Sequence, residues 1–146
     1  MTPEALAATH ARAFAGSGRG WSSAEFASLL ESPCVFAFGD DRAFALGRVI
    51  AGEAELLTLA TDPGARRQGL ARAALADFEA EARARGAARA FLEVAEDNAA
   101  ARGLYAVARW EVIARRAAYY SGTTGPAADA LVLAKPLGRD PHPPAP

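Results

Sequence analysis

The chain carries a single cysteine, Cys34, among 146 residues. That excludes an internal disulfide and any metal cluster built on cysteine. Long hydrophobic runs are also missing. Every apolar stretch is short and broken by charge, so nothing reads as a signal peptide or a membrane span. There is no excess of charge of either sign: the net charge is −1, which gives no hint of general nucleic-acid affinity. The expectation is a soluble cytoplasmic protein with no direct nucleic-acid or membrane binding. Histidine is scarce as well. His10 falls on a predicted helix, where it packs or meets solvent, and His142 lies in the tail, so no metal is expected. Cys34, in a predicted strand with no base beside it, reads as a packed side chain and not a nucleophile.

The length suits one domain able to bury a substantial core, assigned to residues 1–137. The tail, residues 138–146, is rich in proline without apolar periodicity and reads as disordered. Alanine is abundant and fits either face of a helix or strand, so punctuation carries more weight than periodicity. Thr2-Pro3 starts a helix that runs to about Ala15, followed by a flexible glycine-rich loop at 16–20. Ser22 and Glu25 form a capping-box pattern for a second helix ending before Pro33. Strands are expected at 34–38, 42–50 and 53–61, joined by turns short enough for antiparallel hairpins. The strongest helix spans 68–85, with Ala71, Leu75, Phe78 and Ala82 on one face and Gly86 as its stop. A strand at 90–95, a helix at 98–108 and strands at 110–119 and 130–134 complete the order ααβββαβαββ. A strand–helix–strand unit within otherwise antiparallel pairings makes the fold α/β (α+β), with a mixed, mostly antiparallel sheet.

One segment carries chemistry. Asp62-Pro63-Gly64-Ala65-Arg66-Arg67-Gln68-Gly69-Leu70-Ala71 follows a strand and opens into the strongest helix. Unpaired N–H groups and the positive end of the helix dipole can hold an anion there, and two arginines suit a pyrophosphate. A P-loop is ruled out because the Gly-Lys-Ser/Thr ending is absent. A dinucleotide-binding turn fails because one glycine stands where three are needed. An arginine-rich surface turn that merely caps a helix stays open on this segment alone.

Motifs further along narrow the choice. Arg66-Arg67-Gln68-Gly69-Leu70-Ala71 matches the pattern Gln/Arg-x-x-Gly-x-Gly/Ala. It is followed by Leu92-Glu93-Val94, Asn98-Ala99-Ala100-Ala101, Leu104-Tyr105, and Arg115-Arg116 before Tyr119-Tyr120. With these, the chain resembles the GNAT-fold acetyltransferases over nearly its whole length up to Pro136. Within them it resembles the RimI-type branch, which acetylates the N-terminal alanine of a small-subunit ribosomal protein. Trp21-Ser22 resembles that branch's Pro-Trp-Ser segment, with Gly20 in place of the proline.

The resemblance implies acetyl-CoA as co-substrate. Its pyrophosphate would lie on Arg66, Arg67, Gln68, Gly69, Leu70 and Ala71. Its pantetheine arm would pair with the edge of the strand at Leu59, Ala60 and Thr61, opened by a splay from the strand at 90–95. Asn98 would bind the same arm or cap its helix. Glu93 is the implied base, in an apolar strand where partial burial would favour its taking a proton. Tyr105 is the implied acid for the departing thiolate, its alternative being a core aromatic. A backbone N–H near Ala60 or Thr61 is the implied oxyanion partner. The implied acceptor is a ribosomal protein's N-terminus, with a small amine or other protein N-termini as alternatives. A non-catalytic acyl-CoA-binding module stands behind both. The oligomeric state is not legible. The chain departs from the family in three places: no strand signal precedes Thr2, so the first strand is expected to be missing. Ala108-Arg109-Trp110 replaces Leu-Gly-Phe, so an altered helix end is expected without the glycine, and the 16–20 loop is long.

Overall fold

The computed structural model describes residues 1–15, 20–120 and 128–138. The elements are α1 (Pro3–Ala13), α2 (Ser23–Leu30), β1 (Val35–Gly39), β2 (Ala43–Ile50), β3 (Glu53–Thr61), α3 (Leu70–Ala84), β4 (Arg89–Ala95), α4 (Ala99–Val107), β5 (Glu111–Tyr120) and β6 (Ala128–Pro136), with a 3-10 turn at Pro63–Ala65. This is the expected order. Most of the 16–20 loop and of the tail lies outside the described residues, so those two expectations are not addressed.

Local chemistry sets the helix starts. Thr2 Oγ1 accepts the N–H of Ala5 at 3.0 Å, and Pro3 fills the first turn, where no N–H is missed. Ser22 and Glu25 form both halves of the capping box. Among the described residues the six strands run β1-β2-β3-β4-β6-β5 across the sheet, and only β3–β4 is parallel. Among the described residues no strand precedes α1, and β1 forms one edge of the sheet.

Apolar side chains pack on both faces. On one, Leu75, Phe78 and Ala82 of α3 meet Phe36, Ala45, Leu56, Leu92 and Leu131. On the other, Leu6 of α1 and Phe26 of α2 meet Phe44, Leu46 and Ala60. Between them, Leu46 pairs with Thr58 but Gly47 pairs with Leu56, so Leu57 is an extra residue in β3, a β-bulge. The bulge reverses which face successive side chains meet. Leu56 and Leu59 pack on the α3 side, Leu57 and Ala60 on the α1 side.

At this same level β3 and β4 part. Their parallel register covers only Glu53↔Arg89, Ala54↔Ala90 and Glu55↔Phe91. Beyond it, the β4-facing edge of β3 and the β3-facing edge of β4 lack ladder partners. The expected splay is present, and the bulge sits where it begins.

The 108–110 turn shows how a missing glycine is managed. Arg109 adopts φ +71°, the left-handed conformation a glycine would take without strain. Its N–H donates to Ala106 C=O at 3.0 Å, and that of Trp110 to Tyr105 C=O at 2.9 Å. These two bonds are those of a Schellman cap, and the Trp110–Tyr105 ring contact at 6.1 Å supplies its apolar clasp. The helix therefore ends as the family pattern would have it, with strain placed on an exposed arginine. Arg109→Gly is expected to stabilise the protein by about 1 kcal/mol. In thermal unfolding this is a rise of roughly 2–4 °C; a fall would show that the arginine side chain contributes more than its backbone strain costs.

Candidate active site

The carboxyl ends of the parallel pair β3 and β4 form a crevice, and the sequence places its motifs around it. β3 ends at Thr61, and the turn from Asp62 leads into α3. Asp62 organises this turn: one carboxylate oxygen accepts the N–H of Gly64 at 3.0 Å, the other the Nε–H of Arg12 at 2.8 Å. These bonds, the Gly64 amide first, hold the Asp62 carboxyl below the ordinary carboxylate range. Arg67 (φ +65°) and Gly69 (φ +74°) then turn the chain twice through the left-handed region. That is why α3 begins at Leu70 and not at Gln68.

Gly69 takes the N-cap position of α3 and offers no side chain to cap it. The contrast is informative, because Thr2, Ser22 and Asn98 all cap their own helices. The first amides of this 15-residue helix are thus left for another acceptor. A Cβ built on Gly69 would meet nothing within 4 Å, so the space beside Gly69 itself is open. Arg66, Arg67 and Gln68 are exposed beside it, while Leu70 and Ala71 are half-buried. Uncapped amides, the helix dipole and two exposed arginines thus occur within one short stretch of chain, the chemistry a pyrophosphate requires.

Leu59, Ala60 and Thr61 pair on one side with Ala45, Phe44 and Ala43 of β2. Their other edge faces the splay, where an extended amide-bearing chain can complete the ladder. The donor set thus fits the two chemically distinct parts of acetyl-CoA: anion-binding amides for the pyrophosphate, and an unpaired strand edge for the pantetheine amides.

Glu93 lies on β4 beyond the point where the strands part. It is exposed, with Leu92 and Val94 on either side buried toward α3. The residue as a whole is exposed, but its side chain, at 31%, is partly covered. Strand alternation turns Glu93 to the opposite face, where its carboxylate meets Arg116 of β5 at 3.2 Å. Nearby, Arg115 of β5 holds both Glu96 and Asp129, the latter at 2.9 Å.

Tyr105 is 5% exposed and packs in the same cluster as Leu92 and Val94. It and Glu93 thus flank β4 from opposite faces of the sheet. Trp110, beside Tyr105, is fixed in turn: its indole N–H donates to the buried Glu79 at 3.3 Å. Lys135 of β6 donates to Glu79 and to the Ala108 carbonyl. This buried charge pair ties α3, the end of α4 and β6 together behind Tyr105.

Asn98 caps α4, its Oδ1 accepting the N–H of Ala101 at 3.2 Å. The cap uses the oxygen, which leaves the carboxamide NH₂ as the part able to donate to a ligand.

Three partners were not legible in the sequence. Arg116 reaches Glu93 across β6, and Arg12 reaches Asp62 over fifty positions of chain; no local pattern signals either. His10 is buried, stacks on Trp21 at 5.1 Å and accepts its backbone N–H at 3.4 Å. Desolvation pushes the imidazole down to about 4, against a smaller opposing pull from Glu25, so it is neutral near pH 7 and its Nδ1 can accept. Cys34 is half-buried just before β1. Among the described residues no cluster of three or more histidine, cysteine or acidic side chains could hold a metal, and no helix is long and apolar enough to cross a membrane.

The sequence matches the model of the acetyltransferase (GNAT) family over residues 10–108. The chain belongs to that family, and is an acyltransferase that uses acetyl-CoA. It is similar to the ribosomal-protein-S18-alanine N-acetyltransferase of Escherichia coli: 34% identity, 94% of this chain and 89% of that one covered, TM-score 0.82. It is also similar to nourseothricin acetyltransferase, at 26% identity over 72% of this chain and 66% of that one, TM-score 0.64. YncA of Salmonella typhimurium, solved with its cofactor acetyl-CoA, shares the fold at 17% identity over 99% and 93% of the two chains, TM-score 0.77. A search of curated proteins finds no match.

Proposed function

We propose that this enzyme transfers an acetyl group from acetyl-CoA to the N-terminal alanine of a small-subunit ribosomal protein. The observation that carries the reading is the 34% identity, extending over 94% of the chain, with the E. coli enzyme that acts on such an alanine. Nourseothricin acetyltransferase, at 26% identity, is matched over a smaller share of both chains.

The reading assigns each part of the crevice a task. The α3 amides from Gly69 to Ala71, with Arg66, Arg67 and Gln68, hold the pyrophosphate. Leu59, Ala60 and Thr61 pair with the pantetheine arm, and Asn98 donates to it. An α-amino group has a pKa near ~8 and is largely protonated at pH 7. Glu93 takes a proton from it, directly or through one water, and the freed lone pair attacks the thioester carbonyl. A C–N bond forms, and the negative charge on oxygen is met by a backbone N–H near Ala60 or Thr61. The C–S bond then breaks as Tyr105 supplies a proton to the thiolate; the nitrogen, still carrying one proton too many after attack, gives that proton up and so restores Tyr105 through solvent, while Glu93 releases its own to water. With Glu93 and Tyr105 on opposite faces of β4, amine and thiolate are served from opposite sides of the split, which supports direct transfer without an acyl-enzyme. The structured unit is read as one domain over residues 1–137.

An acceptor panel tests the substrate. Alanine-start peptides from small-subunit ribosomal proteins are expected to be acetylated, and the same peptides with a blocked N-terminus are not. Acetylation of small amines with no peptide turned over would instead give the alternative reading, a small-amine acetyltransferase.

A further inference from the structure

The donor turn is not held by its own sequence alone. Asp62 directly follows β3: its backbone N–H donates to the Arg42 carbonyl at 2.8 Å, and its carboxylate closes the turn through Gly64. The free oxygen of that carboxylate is taken by Arg12, in the last turn of α1. Arg12 is itself aimed. Its Nη2 donates at 3.3 Å to Oγ1 of Thr9, which is fully buried and donates in turn to the Asp41 carbonyl at 2.7 Å. A chain of polar contacts therefore runs from the β1–β2 hairpin through α1 to the turn before the uncapped α3 amides. No part of the proposed chemistry uses it.

We propose that Arg12 is a positioning residue for the donor. By holding Asp62 from α1, it fixes the turn that presents the α3 amides to the acetyl-CoA pyrophosphate. This rests on the reading that the pyrophosphate lies at the α3 N-terminus. The pair is partly exposed, at 49% for Arg12 and 28% for Asp62, so its effect is modest and weakens with salt.

Calorimetric titration of the full chain with CoA, joined to donor and acceptor kinetics, reads the effect independently of the acceptor's identity. Arg12→Ala is expected to weaken CoA binding and raise the acetyl-CoA KM about threefold to fivefold. kcat at saturating donor and the acceptor KM stay unchanged, a split that a general loss of structure would not give. Arg12→Lys, which keeps the charge but not the two-atom fork, falls between. In an Asp62→Ala background, Arg12→Ala has no further effect. The inference is overturned if Arg12→Ala binds CoA like wild type, or if its effect is undiminished in the Asp62→Ala background. An Arg66→Ala/Arg67→Ala variant separates the two layers. If it too leaves CoA affinity unchanged, the pyrophosphate is elsewhere and the site reading fails. If it weakens binding while Arg12→Ala does not, the positioning role alone is wrong.

Discussion

Glu93→Gln is expected to lower kcat/KM for the peptide acceptor by about 10²–10⁴-fold, the range lost when a positioned base is removed. Glutamine keeps the shape of the side chain and an oxygen for Arg116 but cannot take a proton. The proposed donor site lies on α3 and the β3 edge, which Glu93 does not line, so CoA affinity should stay within about twofold of wild type. Thermal stability should hardly change, because Glu93 is exposed and its pair with Arg116 is a surface one. Steady-state kinetics beside calorimetry separates the two readouts. An unchanged rate removes Glu93 from the mechanism. A lost rate with lost CoA binding would mean that it shapes the donor site instead.

Gly47→Ala should be the most damaging small change to the fold. A Cβ there would stand 2.4 Å from two ring atoms of Phe78 and 3.2 Å from Phe36. Phe78 is fully buried and stacked on Phe36 at 5.8 Å, so the ring has no free direction in which to move. Gly47 also sits on β2 opposite the bulge at Leu57, where the strand register shifts and the splay begins. The added methyl must therefore push α3 away from the sheet or move the bulge. Overpacking of this kind costs about 3 kcal/mol, seen as a fall in melting temperature of roughly 6–12 °C. Phe78→Leu in the Gly47→Ala background should recover part of the loss, since it removes the ring that the methyl strikes. A loss below about 2 °C for Gly47→Ala would show that the core at this level gives way easily.

These two sites mark what the sequence could and could not disclose. The element order was legible because its punctuation is local: Thr2-Pro3, the Ser22–Glu25 box and Gly86 act on their own neighbours. The proposed donor turn stands out in the sequence for the same reason, since arginines, glycine and helix start lie within ten consecutive residues. Glu93 was identified by motif, but its surroundings depend on which face of β4 it occupies and on Arg116 arriving from β5. The register shift that places Gly47 under Phe78 is likewise a property of strand pairing, invisible in either strand alone. At Arg109 the sequence suggested an altered helix end, because it shows the absence of glycine but not that an exposed arginine can bear a positive φ. The Arg12–Asp62 contact joins residues from the first helix and the end of the third strand, and nothing local announces it.

The acceptor panel bears most directly on the central claim, that this crevice acetylates a protein's N-terminal alanine. The decisive measurement is kcat/KM for an alanine-start ribosomal peptide against that for small amines, in the same assay with saturating acetyl-CoA. A ratio of at least about 10² is expected, equivalent to roughly 3 kcal/mol of transition-state discrimination. Small amines acetylated as fast as or faster than every peptide would contradict it.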